Sequence, residues 1–144
     1  MDTTQGQEGG QLNGQVSLKR VYPVSPDKVW RAWTDPQALS QWFGSGQPGS
    51  VKAAEFDLQV GGRYRIAFTC PSGTFNEASG VYQEVVPNSR LVFSWAWQST
   101  PERVSRITID LKPVAEGTEL SFVHDRFFDV AARDSHEGGW TAMF

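Results

Sequence analysis

The stretch VSRITIDLKPVAEGTELSFVH, residues Val104 to His124, decides the fold. Its apolar residues alternate. Ile107, Ile109 and Leu111 fall on one face, while Arg106, Thr108, Asp110 and Lys112 fall on the other. A period of two is the mark of a strand with one face buried and one in water. Ala115-Glu116-Gly117 then breaks the pattern, and Leu120, Phe122 and His124 resume it on a second strand. So short a connection makes the two strands antiparallel.

The same alternation extends upstream. Leu91, Phe93, Trp95 and Trp97 share a face, as do Tyr64, Ile66 and Phe68 in the run Arg63 to Cys70. Further strands are expected over Val16 to Tyr22, Val51 to Phe56 and Phe75 to Val86, the last with a bulge around Gly80. Turns are expected at Gly61-Gly62, Pro71-Ser72-Gly73 and Pro87-Asn88-Ser89.

Two short helices interrupt the strands early. Ser25 before Pro26, and Asp35 before Pro36, each pair a side-chain acceptor for free first-turn amides with a residue that needs no amide donor. Val29, Trp30 and Trp33 make the first apolar face; Leu39, Trp42 and Phe43 make the second, with Gly44 as the stop. A last helix is expected from about Asp134, capped by Asp134 or Ser135, with His136 and Trp140 one turn apart. Gly138 and Gly139 weaken it, and close backbone approach is the expected reason for them. Residues 1–14 are rich in Gln and Gly and read as a disordered tail, leaving one domain over 15–144.

Segregated strands and helices define an α+β domain and exclude a parallel βαβ sheet. The expected architecture is a curved antiparallel sheet of about six to seven strands. Two short helices follow its first strand, and a C-terminal helix lies over the concave face. The net charge of −3 offers no basic field for nucleic acid. No apolar run approaches the roughly 20 residues that span a bilayer, so membrane insertion is not expected. Cys70 is the one cysteine, so no internal disulfide can form, which points to a reducing, cytoplasmic setting.

Several segments, in order, carry a family resemblance. VYPVSPDKVWRAWTDPQALSQWF, Val21 to Phe43, resembles the opening of the START-like, helix-grip superfamily, also called SRPBCC. Asp57 to Tyr64, Glu84 to Pro87 with Arg90 to Trp95, and Gly117 to Leu120 resemble its branch named for the activator of the heat-shock-protein ATPase; His136 and Gly139-Trp140 resemble the start of that branch's last helix. The resemblance implies a cavity between sheet and helix. It leaves the function open among lipid binding, cyclisation, ring-hydroxylase subunits and chaperone regulation. In the family that helix runs roughly 18 residues. Counted from Asp134 the present one is short: either the helix is cut, or the cup is partly open, and an open cup would favour a homodimer that covers it.

Chemistry is mostly absent from the sequence. No serine sits in a G-x-S-x-G elbow, and no C-x-x-C or H-E-x-x-H spacing exists. No cofactor and no metal site is called for. His124 and His136 are the only histidines; they can converge, with Asp125 or Asp134, as a metal site or acid–base pair, or serve as packing residues. Glu55, Asp57, Glu77 and Glu84 read as solvated outward positions. The primary expectation is a binding module for an apolar or amphipathic small molecule. Its walls are Tyr64, Ile66, Phe68, Phe93, Trp95, Ile107, Ile109 and Phe122 from the sheet and Trp140 from the helix, with Tyr82 and His124 as polar handles. A protein-interaction module of the chaperone-regulating kind is the second expectation. Direct chaperone activation is not expected, because 144 residues do not hold the additional N-terminal domain of the eukaryotic activators. A cyclase- or hydrolase-type enzyme with His124 as its inward titratable group is the third.

Overall fold

The computed structural model describes residues 14–43, 49–69 and 73–143. The expected tail through residue 13, the stop at Gly44, Cys70, the Pro71-Ser72 part of one turn, and Phe144 lie outside the described residues. In chain order the elements are β1 (Val16–Tyr22), α1 (Pro26–Thr34), α2 (Pro36–Ser40), β2 (Val51–Phe56), β3 (Arg63–Thr69), β4 (Phe75–Val86), β5 (Arg90–Trp97), β6 (Ser105–Val114), β7 (Gly117–Asp125) and α3 (Val130–Met143).

The strands form one antiparallel sheet in the order β1-β7-β6-β5-β4-β3-β2. Five of the six pairings join consecutive strands, as short turns require. The sixth brings β1 back beside β7, with Val16 opposite His124 and Leu18 opposite Phe122. The two edges are therefore β1 and β2, and the α1–α2 segment runs from one to the other. Its aromatic side chains touch both halves of the sheet. Trp33 stacks on Phe122 of β7 with ring centres 6.0 Å apart, and Phe43 meets Phe68 of β3 edge-on at 4.9 Å. A twisted sheet joined across both edges by one short segment curls, and the concave face receives α3.

Three local expectations are corrected. The Ser25 side chain does not cap α1; its hydroxyl donates to Asp27, and the Ser25 carbonyl takes the first-turn amides of Lys28 and Val29. Asp35 does cap α2, accepting from the Gln37 amide at 2.9 Å. The bulge in β4 lies between Tyr82 and Glu84, not around Gly80. Gly80 is needed for another reason: a Cβ there would lie 2.0 Å from the Ser94 carbonyl oxygen. The Tyr64 hydroxyl donates to that same carbonyl at 2.6 Å.

The third correction concerns α3. It begins at Val130, four residues before Asp134, and the Asp129 carboxylate accepts from the Ala132 amide at 2.8 Å. Neither Asp134 nor Ser135 is its cap. Its 14 residues span about 21 Å, enough to cross the sheet. Trp140 is 2% exposed and packs on Phe122, Trp95 and Phe43 at 4.9, 5.3 and 5.9 Å. The helix covers the concave face that the sequence left partly open.

Candidate functional site at the mouth of the cup

Among the described residues the deep interior between sheet and helix is filled. The space left beneath Trp33 and Phe43, bordered by Tyr64, Ile66, Tyr82, Phe93 and Trp95, is about 20 Å³, room for about one water. Trp140 and Phe43 occupy the volume that the sequence assigned to a ligand. A ligand-sized space lies at the mouth instead, where α3 crosses the outer end of β5. It measures about 330 Å³. Its walls are the rings of Phe43, Phe68, Trp95, Trp97 and Trp140, and its rim carries Asn76, Ser99, Ser135 and His136.

Gly139 opens this space. A Cβ built there meets nothing within 4 Å, and the same holds at Gly138. Close backbone approach, the reason expected for both glycines, is therefore not theirs. On the other side of the helix end a second space of about 310 Å³ lies among Val24, Val29, Trp33, Trp42 and Met143, with Lys28 at its edge.

The eleven residues expected to line a cavity divide into three groups. Phe68, Trp95 and Trp140 border the mouth. Tyr64, Ile66, Tyr82 and Phe93 border the one-water space and not the mouth, and Trp95 borders both. Ile107, Ile109, Phe122 and His124 are at most 1% exposed and border neither. Burial pushes the Tyr64 and Tyr82 hydroxyls upward in pKa, with Tyr82 adding to the first effect and Asp57 to the second, so both stay neutral.

His124 is not a ligand handle, because both ring nitrogens are already bonded. An indole nitrogen can only donate, so the Trp140 N–H at 3.0 Å makes Nδ1 of His124 an acceptor. The proton then sits on Nε2, which donates to Ser105 Oγ at 2.6 Å, and Ser105 passes its own hydrogen to the Trp95 carbonyl at 3.2 Å. Burial holds His124 well below its ordinary pKa, and the neighbouring His136 adds to this. With its lone pair bonded away from the mouth, His124 does not serve the enzyme reading that rested on it.

His136 has the opposite tautomer by the same logic. Its Nε2 faces the indole N–H groups of Trp97 at 3.1 Å and Trp95 at 3.3 Å, so it accepts from both. Its Nδ1 carries the proton and donates to the Ala132 carbonyl at 2.7 Å. Burial lowers its pKa, and the Ala132 contact opposes that in part. The histidines do converge, with ring centres 4.9 Å apart, but their lone pairs point at indoles and not at a common point. Asp125 is held from Arg106 by bonds of 2.9 and 3.2 Å, and Asp134 pairs with Arg133. Among the described residues no three His, Cys, Asp or Glu side chains gather as a metal site.

The outer carboxylates Glu55, Glu77 and Glu84 pair with arginines, and Asp57 accepts from the Gln59 side-chain amide at 3.1 Å. Arg65 bonds Glu55 and Glu77 at 3.2 and 2.9 Å, and Arg90 bonds Glu84 and Asp110. The sequence did not single out Phe43, Ser135 and Gly139 for the mouth. Trp97 was legible, since it continues the inward phase of Phe93 and Trp95. Ser105 also carried a signal, as a polar residue in phase with Ile107 and Ile109.

A curved antiparallel sheet gripping a C-terminal helix, with an aromatic mouth at one end, defines a helix-grip protein of the START-like type. The family model described as activator of Hsp90 ATPase homolog 1-like protein matches residues 23–144, and the chain belongs to that family. Solved structures agree. A protein from Chromobacterium violaceum is 28% identical with a TM-score of 0.75, over 90% of this chain and 91% of that one. One from Nitrosomonas europaea is 27% identical with a TM-score of 0.73, over 90% and 88%. CalU16 from Micromonospora echinospora is 26% identical with a TM-score of 0.65, over 88% and 69%. A search of curated protein sequences finds no match. No helix among the described residues is long and apolar enough to cross a membrane.

Proposed function

We propose that this chain binds an apolar or amphipathic small molecule at the mouth between α3 and β5. The observation that carries the reading is the space of about 330 Å³ walled by five aromatic rings and edged by Asn76, Ser99, Ser135 and His136. Ligand sites are mostly apolar with a few placed polar groups, and they start near about 300 Å³. This one suits a compact, ring-containing molecule with its polar end toward the rim. Burying about 300 Å² of apolar ligand surface contributes about 7 kcal/mol before the costs of ordering, so affinities no tighter than micromolar are expected.

Native mass spectrometry of protein purified without detergent tests this. An added mass that is lost on denaturation, and that is missing from Gly139→Leu, supports the mouth as the site. A Cβ at 139 meets open space and Gly139 lines the mouth, so leucine there projects its side chain into the site. An added mass retained by Gly139→Leu places the ligand elsewhere.

The matched family's description, covering residues 23–144, supports a second reading, a protein-interaction module that regulates a chaperone. The ATPase rate of a purified Hsp90 with and without the chain separates the two. An unchanged rate leaves small-molecule binding as the function, and a stimulated rate replaces it.

A further inference from the structure

Both histidines hold α3 to the sheet as hydrogen-bond acceptors. His124 on β7 accepts from Trp140 on α3, and His136 on α3 accepts from Trp95 and Trp97 on β5. All three partners are indoles, which have a proton to give and nothing with which to accept one. Adding a proton to either acceptor nitrogen would set N–H against N–H in a buried place. The bond would be lost and a charge left without a counter-ion.

Among the described residues no neighbouring charge relieves that conflict. From β5 the facing groups are the two indoles, and from β6 the Ser105 hydroxyl. From the loop before α3 the Phe127 ring lies against both histidines, at 4.3 and 5.2 Å. From β1 the residue opposite His124 is Val16. Asp125 bonds Arg106, while Arg133 bonds Asp134 and Glu137 on α3. Among the described residues the one titratable group that faces each ring is the other histidine.

We propose that His124 and His136 form an acid-release latch: proton uptake by either ring frees α3 from β5 and β7 and widens the mouth. Its effect on ligand traffic rests on the mouth being the binding site; the release of the helix does not. Both pKa values lie below the ordinary 6.5, so the latch is closed above that pH and opens as the pH falls below it. Each proton taken up raises the opening constant by about tenfold per pH unit at most.

Amide hydrogen exchange on the whole chain between pH 7.5 and 5.5, corrected for intrinsic rates, tests the latch. The amides of α3 should lose protection while those of Ile107 and Ile109 keep theirs. Flat α3 protection overturns the proposal, and so does loss in step with the strands. His136→Gln keeps an acceptor near the Nε2 position and cannot titrate, so the α3 response should shrink to the share that His124 carries, and an undiminished response overturns the part assigned to His136. If that variant fails to fold, long-range ¹H–¹⁵N spectra of the unaltered chain decide. Nε2–H on His124 with Nδ1–H on His136 at neutral pH is expected, and either ring titrating at or above 6.5 overturns the latch. 1-Anilinonaphthalene-8-sulfonate binding is followed in parallel. Acid-accelerated α3 exchange with no dye bound at any pH supports the latch and sinks the binding site, whereas dye binding with flat exchange sinks the latch alone.

Discussion

A side chain at Gly138 or Gly139 would meet open space, so neither position needs glycine for packing. Glycine inside a helix costs about 1 kcal/mol relative to alanine. Gly138→Ala should therefore stabilise the fold by about 1 kcal/mol, read as a higher urea midpoint with unchanged slope. Trp140→Phe keeps most of the ring packing but removes the donor to His124 Nδ1. Leaving that buried acceptor unpaired should cost about 1–3 kcal/mol in the same measurement. A loss below a few tenths would show that the bond adds nothing. At this scale the inward side chains were legible, because alternation alone places Phe93, Trp95 and Ile107. The roles of His124 and His136 were not. A histidine in an inward phase shows burial, but its tautomer depends on donors such as Trp140 and Trp97, brought from other elements.

Strands and helices were mostly legible as elements, and their order in the sheet was not. A period of two shows that β1 is a strand but not that it returns beside β7. That pairing depends on the α1–α2 segment bridging the sheet. The start of α3 was placed late because Asp134 and Ser135 look like caps, although Asp129 before Val130, Ala131 and Ala132 is an equally good signal. The bulge was assigned to Gly80 because glycine breaks the pattern there, yet the register slips at Gln83. Gly80 is instead a close-approach position. Gly80→Ala would press a Cβ onto the Ser94 carbonyl, a backbone atom that cannot swing aside. A loss of about 1–3 kcal/mol or more is expected, with the Tyr64–Ser94 hydrogen bond the first contact disturbed. Wild-type stability in this variant would mean that β4 and β5 move apart freely.

For the molecule as a whole, the sequence named the faces that meet but not whether they leave a void. Trp140 and Phe43 come from segments far apart in the chain, and together they fill the centre and leave ligand-sized space only toward its margins, the mouth among them. The same filling shapes the response to acid. Both histidines have folded pKa values below 6.5, so the unfolded chain binds more protons as the pH drops below that value. Their contribution is fully present above about 6.5 and declines in more acid solution. Asp27 and Asp35, lowered by bonds from Ser25 and Arg31, contribute a loss only nearer pH 4 and below. Urea unfolding should accordingly show constant stability from pH 8 to about 6.5 and a decline between 6.5 and 5, where few carboxylates titrate.

The central claim is that a small molecule is bound at the mouth and not in the interior or in the space beside Lys28. Indole ¹H–¹⁵N spectra, recorded while 1-anilinonaphthalene-8-sulfonate is added at pH 7.5, test it most directly. The account predicts that the Trp95 and Trp97 resonances move together and saturate, that Trp42 stays in place, and that Gly139→Leu abolishes the shifts. Movement of Trp42 alone, or shifts that persist in Gly139→Leu, would contradict it.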